Sequence, residues 1–204
     1  MAKIAFYIFI LMVAFLPSAH ANEGEAYVYS PEGCDFTATF PFEPGFVRRC
    51  PSDKNLPCLE VAQFTDRTDF DQTINVEMIC QPIAQEVYKT YTKDNMEAVI
   101  LNMTRDANLP ELPEVTYQEE ENGLKIAGTS GIKTTGFSTK IFVTQIWVTE
   151  NSVMSVEGEM SLDHGDEGDK KFADILQSIG PKDQTNEEEE EEEEEEEAVA
   201  EDAN

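Results

Sequence analysis

Four cysteines are the residues of this 204-residue chain whose type and spacing point most directly to chemistry: Cys34, Cys50, Cys58 and Cys80. Cysteine sulfur can bind zinc, act as a nucleophile or form a disulfide. The stretches between these cysteines hold 15, 7 and 21 residues, so no closely spaced pair of the zinc-knuckle kind is present. We therefore predict two disulfides, with no metal ion and no cofactor.

The pairing of the cysteines depends on where the predicted strands begin and end. Cys34 opens the first strand, Cys50 closes the second, Cys58 opens the third and Cys80 closes the fourth. Neighbouring strands lie about 4.8 Å apart, and a disulfide needs Cα atoms within roughly 7 Å. If the strands lie in sequential order, these distances favour Cys34–Cys50 with Cys58–Cys80. If the order is not sequential, Cys50–Cys58 with Cys34–Cys80 becomes the better choice.

His164 is the one histidine that would remain after removal of the leader segment considered below. It lies in the acidic stretch 163–169, where it could act as a general base or as a metal ligand. The same stretch is typical of a polar turn that leads into a helix, with Asp166 or Asp169 near the positive end of the helix. Its oxygen-bearing residues do not follow the spacing of an EF-hand loop. We predict no catalytic and no metal-binding role for it.

The remaining motifs do not point to catalysis. The segment 128–131, GTSG, is not the G-x-S-x-G elbow of a hydrolase, and the segment 131–136 lacks the lysine of a phosphate-binding loop. We predict that residues 129–136 form a small-residue loop between strands. Aspartate and glutamate are abundant, so a small hydrolase that uses two carboxylates stays as the alternative. We expect the chain not to be an enzyme.

The charge of the chain is strongly acidic, with 42 Asp and Glu against 14 Lys and Arg and a net charge of −28. This balance argues against binding to nucleic acid or to anionic lipid. Residues 183–204 include eleven consecutive Glu at 187–197 and no basic residue. The composition predicts a disordered, low-complexity tail. Such a tail could attract a basic partner or bind Ca²⁺. Binding of Ca²⁺ would be weak, because the tail does not hold its oxygens in a cage.

The amino terminus has the pattern of a secretory signal peptide over residues 1–21. Lys3 precedes an apolar run at 4–16, and a small-x-small motif ends at Ala21. A helix of this run covers roughly 20 Å, which is short of the ~30 Å hydrocarbon core of a membrane. We predict cleavage after Ala21, no membrane span in the mature chain, a single domain at 22–182, and a periplasmic or secreted location.

Hydrophobic periodicity predicts an α+β order of elements across that domain. Alternating segments predict a four-stranded antiparallel meander, with strands at 34–40, 46–50, 58–64 and 73–80. A spacing near 3.6 predicts one long amphipathic helix at 83–107. Further strands are predicted at 114–121, 123–129, 137–149 and 153–162, followed by a short helix at 169–179. The strand at 137–149 is apolar on both faces, which predicts a central strand that is covered on both sides.

The opening YSPEGCDFTATFPFEP, the long helix after the first meander and the closing FADILQSIGP together resemble the PsbP-like fold. That group includes plant and cyanobacterial PsbP proteins and small bacterial exported proteins of the DcrB kind. The resemblance covers residues 27–180 and implies an antiparallel sheet packed against one long and one short helix. It also implies a non-enzymatic accessory or binding protein. We therefore expect an exported protein of the cell envelope that acts on an unknown envelope partner, with an acidic cation-binding protein as a further alternative.

Overall fold

The structure is a computed structural model, and it describes residues 25–51, 57–67, 73–105, 114–135, 138–162 and 165–182. The predicted signal peptide, the predicted acidic tail and His164 lie outside these residues. Within them the fold is a mixed α+β fold of two antiparallel sheets and three helices. The predicted fold class is therefore confirmed.

The strands alternate apolar and polar residues, as the periodicity predicts. Their bounds are β1 Tyr27–Tyr29, β2 Phe36–Phe40, β3 Gly45–Arg49, β4 Leu59–Arg67, β5 Thr73–Pro82, β6 Thr116–Glu119, β7 Lys125–Thr135, β8 Ser138–Val148, β9 Ser152–Ser161 and β10 Gly180–Pro181. The larger sheet has seven strands in the order β3-β4-β5-β9-β8-β7-β6. The smaller sheet has three strands in the order β1-β2-β10.

The three helices are α1 Gln85–Tyr88, α2 Lys93–Met103 and α3 Gly165–Gln177. The apolar face of α3, with Phe172 and Ile175, packs together with the small sheet against one face of the large sheet. On the opposite face Met96 and Ile100 of α2 pack against β7, β8 and β9 in a second cluster. The large sheet is thus the central layer, and its two faces bury separate apolar clusters.

The predicted four-stranded meander is wrong in its first strand. Only β3, β4 and β5 form the meander, while β2 lies in the small sheet between β1 and β10. Phe36 and Phe40 point from β2 into the core and are fully buried there. Pro41 and Pro44 separate β2 from β3 and do not favour the tight hairpin that a meander needs. The strand therefore covers the face of the large sheet and does not extend its edge.

The single long helix predicted for 83–107 is also wrong, because the chain forms α1 and α2 there. The Thr90 hydroxyl donates to the Val87 carbonyl oxygen at 2.7 Å, directly after α1. Thr92 has an extended backbone and its hydroxyl accepts from the Asn95 N–H at 3.4 Å, so it caps the start of α2. A threonine hydroxyl that bonds local backbone competes with a continuous helix. The hydrogen bonds of these two threonine hydroxyls therefore separate α1 from α2.

The loop predicted for residues 129–136 is wrong as well, since β7 runs without a break to Thr135. Gly131 lies opposite Phe142 of β8, and a Cβ on Gly131 would come 2.7 Å from the Phe142 ring. A glycine is needed at this point because the neighbouring ring fills the space above it. The strand predicted at 137–149 is confirmed as central, because β8 lies between β7 and β9 with apolar clusters on both faces.

The favoured disulfide pairing is contradicted. Cys34 is bonded to Cys80 with Cα atoms 6.0 Å apart, and Cys50 is bonded to Cys58 with Cα atoms 4.1 Å apart. The reason is that β2 lies in the small sheet and not beside β3, so Cys34, which precedes β2, meets Cys80 of β5. The pairing expected for a non-sequential strand order is the one that the fold adopts.

Candidate functional site

Six aromatic rings form an unbroken chain of contacts at one side of the molecule. Beginning at the surface, they are Tyr27, Phe46, Tyr29, Phe40, Phe64 and Phe42, and neighbouring ring centroids lie 4.8–6.3 Å apart. Tyr29, Phe40 and Phe64 are buried, whereas Phe42 and Phe46 are 40% and 41% exposed. The buried rings therefore hold the two exposed rings in fixed positions.

Strand β3 carries one of these exposed rings and is an edge strand of the large sheet. All five of its residues are exposed, and among the described residues its backbone pairs with β4 alone. Phe46 faces the small sheet, and Val47, which is 42% exposed, faces the opposite side. Arg48 lies directly across from Glu60 of β4. We call Tyr27, Phe42, Phe46, Val47 and Arg48 the aromatic edge.

The electrostatics of the aromatic edge are local and modest. Burial, and next the charge of Glu60, raise the pKa of Tyr29 to about 12, so its hydroxyl stays neutral at any physiological pH. Arg49 points to the other face, where its guanidinium contacts the Glu77 carboxylate at 2.6 Å. Two arginines and an exposed ring on one edge strand stand out on a chain of net charge −28. Aromatic residues and arginine are the types enriched where proteins bind proteins.

A second feature is a charged cleft of about 370 Å³ on the face of the large sheet that bears α2. Its lining includes Glu77, Glu157, Glu159, Lys133, Phe142 and Met103. Glu159 is shared by the ammonium groups of Lys133 and Lys140. Glu77 accepts from Arg49 and, at 2.7 Å, from the Gln63 amide.

Glu157 is the member of this cleft whose carboxylate has no ion pair or hydrogen bond with the described residues. Although the residue as a whole is exposed, its carboxyl lies against the neighbouring strands. That burial, followed by the charge of Glu77, raises the pKa of Glu157. In the described part of the chain no group of three or more His, Cys, Asp and Glu is placed to hold a metal ion.

A cleft of about 780 Å³ opens beside the Cys34–Cys80 disulfide. Asp35 and Thr149 line this cleft and belong to a partly buried polar network, in which the Asp35 N–H donates to the Ser152 hydroxyl at 2.9 Å. The Thr149 hydroxyl donates to the Asp35 carboxylate, and the Ser152 N–H donates to the Thr149 hydroxyl at 3.1 Å. This network ties the segment before β2 to the turn between β8 and β9. Because Ser152 is fully buried, its hydroxyl is structural and cannot reach a substrate.

The structure accounts for the site residues that the sequence singled out within its described part. All four cysteines are in disulfides, so none is a nucleophile or a ligand. Residues 128–131 belong to β7. The aromatic edge was missed, although three phenylalanines close together in the sequence, Phe40, Phe42 and Phe46, were a signal for it. Among the described residues no helix is long and apolar enough to cross a membrane.

Comparison with known proteins identifies the fold. No family model matches the chain, and no curated protein matches its sequence. The solution structure of cyanobacterial PsbP (CyanoP) from Synechocystis sp. PCC 6803 is similar, with a TM-score of 0.53 and 12% sequence identity. The similarity covers 79% of this chain and 95% of that protein. The chain therefore has a PsbP-like fold.

Proposed function

We propose that this chain is a non-enzymatic, exported accessory protein that binds an envelope partner through the aromatic edge. The observation that carries the proposal is the pair of exposed rings, Phe42 and Phe46, held in place by a buried chain of aromatic residues. Rings that are already fixed lose little conformational entropy when a partner covers them. Scattered exposed apolar residues are common on proteins, whereas two exposed rings that are linked through a chain of buried rings suit a contact site.

The chemistry of the edge defines the partner that fits it. An edge strand with an open backbone can accept an extended segment as one more strand. Phe46 and Val47 flank that position on opposite faces, so the segment needs apolar side chains on both faces. Arg48 adds a place for one carboxylate of the segment. We propose an extended, largely apolar segment of an envelope protein as the occupant.

Export of the chain is supported by its covalent structure. Both disulfides suit an oxidising compartment, in which such bonds persist. The leader pattern at residues 1–21 and a periplasmic or secreted location agree with this, as does the proposed relationship to small exported proteins of the DcrB kind. Mass spectrometry of protein purified from its native compartment tests the location. A mature chain that begins at Asn22 supports it, and retention of residues 1–21 contradicts it.

The proposed contact is tested by comparing three forms of the tagged protein in the envelope of the source organism. The forms are wild type, Phe46→Ser, and Ile132→Ser as a matched control, because Ile132 is also exposed, at 57%, but lies away from the aromatic edge. We expect wild type and Ile132→Ser to retain the same partner and Phe46→Ser to lose at least about tenfold in affinity, the size of a central interface residue. Equal retention by all three forms would overturn the proposal.

Glu157 favours one second candidate, a small carboxylate-dependent hydrolase. Glu157 has a raised pKa and faces a second carboxylate, Glu77. In such a pair the protonated group can act as a general acid and the ionised group as a general base. Assays with chromogenic esters and glycosides would test it, using Glu157→Gln and, as a control, Glu121→Gln in the exposed turn between β6 and β7. Turnover that is lost only in Glu157→Gln would establish the hydrolase. Absence of turnover in wild type would remove this candidate.

A further inference from the structure

The two disulfides of the chain lie in different environments. Cys34 is 3% exposed and belongs to the main apolar cluster, against which Cys80 also packs. Cys50 is exposed and Cys58 is half-buried. Attack by an external thiolate requires access to a sulfur atom. The difference lies between Cys34 and Cys50, because Cys58 and Cys80 are both partly buried: a thiolate meets an exposed residue at Cys50, whereas Cys34 is buried in the core.

The Cys50–Cys58 bond is also next to the aromatic edge. Cys50 directly follows Arg49, the last residue of β3, and Cys58 directly precedes Leu59, the first residue of β4. Arg49 and Leu59 face each other as the last pair of the β3–β4 ladder. The disulfide thus cross-links the two strands at the base of the segment 51–57 that joins them, directly beyond their last pair.

Apart from its ladder with β4, strand β3 is held by the contacts of Phe46 with two tyrosine rings and by the Arg49–Glu77 ion pair. None of its residues is buried, and in the described part of the chain it forms a ladder with β4 only. A strand with few buried contacts is held at the low end of local stability. The covalent closure next to it therefore has a large share in keeping β3 against the sheet and Phe46 against Tyr27 and Tyr29.

We infer that the Cys50–Cys58 disulfide is a reducible latch that keeps the aromatic edge competent to bind its partner, an inference that rests on the proposed function. The reductant is a dithiol, either a small molecule or an exported thiol oxidoreductase. One thiolate of the dithiol attacks the sulfur of Cys50, the more exposed of the two residues, forms a mixed disulfide and releases the Cys58 thiolate. The second thiol of the dithiol then resolves the mixed disulfide. Cys50 and Cys58 end as thiols, and the dithiol ends as its disulfide.

Reduction leaves β3 and β4 joined at this end only through the segment 51–57, and this looser connection allows β3 to open locally. Loss of the short covalent loop should lower amide protection in residues 46–49 by roughly tenfold to a hundredfold. Protection in β5 and β9, which lie inside the sheet, should stay unchanged. Partner binding at the aromatic edge should weaken with the opening of β3, because the exposed rings lose their fixed position.

The test begins with the native protein under increasing dithiothreitol, followed by alkylation and mass spectrometry. We expect Cys50 and Cys58 to be labelled at a reductant concentration at least about tenfold below the one that labels Cys34 and Cys80. Hydrogen exchange of the partly reduced protein then reads out β3 directly, and Cys50→Ser/Cys58→Ser provides the same state without reductant. Equal reduction of both disulfides, or unchanged exchange in β3, would overturn the latch.

The partner-binding arm separates this inference from the proposed function. If Phe46→Ser loses the partner while Cys50→Ser/Cys58→Ser and the reduced protein both keep it, the docking site stands and the latch is wrong. If Phe46→Ser keeps the partner, the docking site is wrong, whatever the exchange of β3 shows. If Phe46→Ser and the reduced protein both lose it while Cys34–Cys80 stays intact, both are supported.

Discussion

Glu77 and Glu157 face each other directly across β5 and β9, and only Glu77 has an ion pair among the described residues. Arg49 and Gln63 both bind Glu77, and two lysines bind Glu159, whereas Glu157 has no direct partner among the described residues. Like charges that lie opposite each other destabilise a pair of strands. The cost is smaller when Glu157 holds a proton, which agrees with its raised pKa.

Glu157→Gln should therefore stabilise the protein, and more so at high pH. Because the pKa of Glu157 in the folded protein lies above its ordinary value of 4.5, the folded state binds this proton more tightly than the unfolded chain does. Stability from this group is greatest below 4.5 and falls as pH rises through the folded pKa. Urea unfolding at pH 5 and pH 8 should show a gain of no more than about 1 kcal/mol, which is larger at pH 8.

Glu121→Gln is the matched control, since it removes one negative charge from an exposed turn. It should change stability little, and equally at both pH values. A gain for Glu157→Gln that is larger at pH 5 than at pH 8 would mean that the folded protein does not disfavour the charged form of Glu157.

Removal of each disulfide should cost unequal amounts of stability. The closed loops span 46 and 8 residues, so loop-closure entropy predicts a loss of about 4 kcal/mol for Cys34→Ser/Cys80→Ser and about 2.5 kcal/mol for Cys50→Ser/Cys58→Ser. Loss of the bond next to the core should also disturb packing around Phe36. Denaturant unfolding of the two double variants measures both values. A larger loss for the Cys50–Cys58 variant would refute the assignment of their roles.

Gly158→Ala should destabilise the contact between β9 and α3. A Cβ at this position would come 2.9 Å from the Phe172 ring, which is buried under the helix. Overpacking of this kind costs about 1–3 kcal/mol. Gly180→Ala is the control, because a Cβ on Gly180 meets no atom within 4 Å. Thermal unfolding of both variants checks the difference, and equal melting temperatures would show that the ring moves freely.

Ser152→Ala should lower the stability of the protein, because it removes a hydrogen bond between the segment before β2 and the start of β9. It leaves the Asp35 N–H without its acceptor in a partly buried position, at a cost of about 1–3 kcal/mol. Ser155→Ala on the same strand is the control, since the Ser155 side chain has no hydrogen bond with the described residues. Chemical unfolding distinguishes the two variants. A loss of the same size in both would mean that the network adds nothing specific.

Deletion of residues 183–204 should leave the fold intact. The segment carries 14 of the acidic residues of the chain, so its removal lowers like-charge repulsion and the melting temperature should stay equal or rise slightly at low salt. Titration of both forms with Ca²⁺ also tests the weak cation binding expected of this tail. A truncated form that melts several degrees lower would show that the segment docks on the domain.

Alternation in the sequence predicted which residues of a strand share a face, but it did not predict where the strands lie in the sheets. Alternation in FTATF predicts correctly that Phe36, Ala38 and Phe40 share a buried face. It carries no information on which strand lies beside them, because β-strand partners are selected by packing between distant segments. The antiparallel ladder of β5 and β9 joins residues about 80 positions apart, as in the pairing of Met78 with Val156. The disulfide pairing followed from that placement and could not be derived before it.

Two further errors came from glycine and threonine, which occur in more than one kind of local structure. Glycine is typical of a loop, yet Gly131 is needed within β7 because Phe142 occupies its side-chain space. Threonine is compatible with a helix at its surface, yet Thr92 caps α2 and interrupts the predicted helix. In both cases the deciding contact is made by another residue, and composition alone does not reveal it. The aromatic edge was hidden in the same way, since the rings that form and brace it come from four different strands and one turn.

The most direct test of the account is site-specific photo-crosslinking from the edge strand in intact envelopes. A photoreactive amino acid placed at Val47 should form a covalent adduct with one envelope protein, and the adduct should map to an extended, largely apolar segment of that protein. The same amino acid at Ile132, which is exposed on β7, should form no such adduct. Absence of an adduct at position 47, or the same adduct from both positions, would contradict the assignment of the aromatic edge as the contact site.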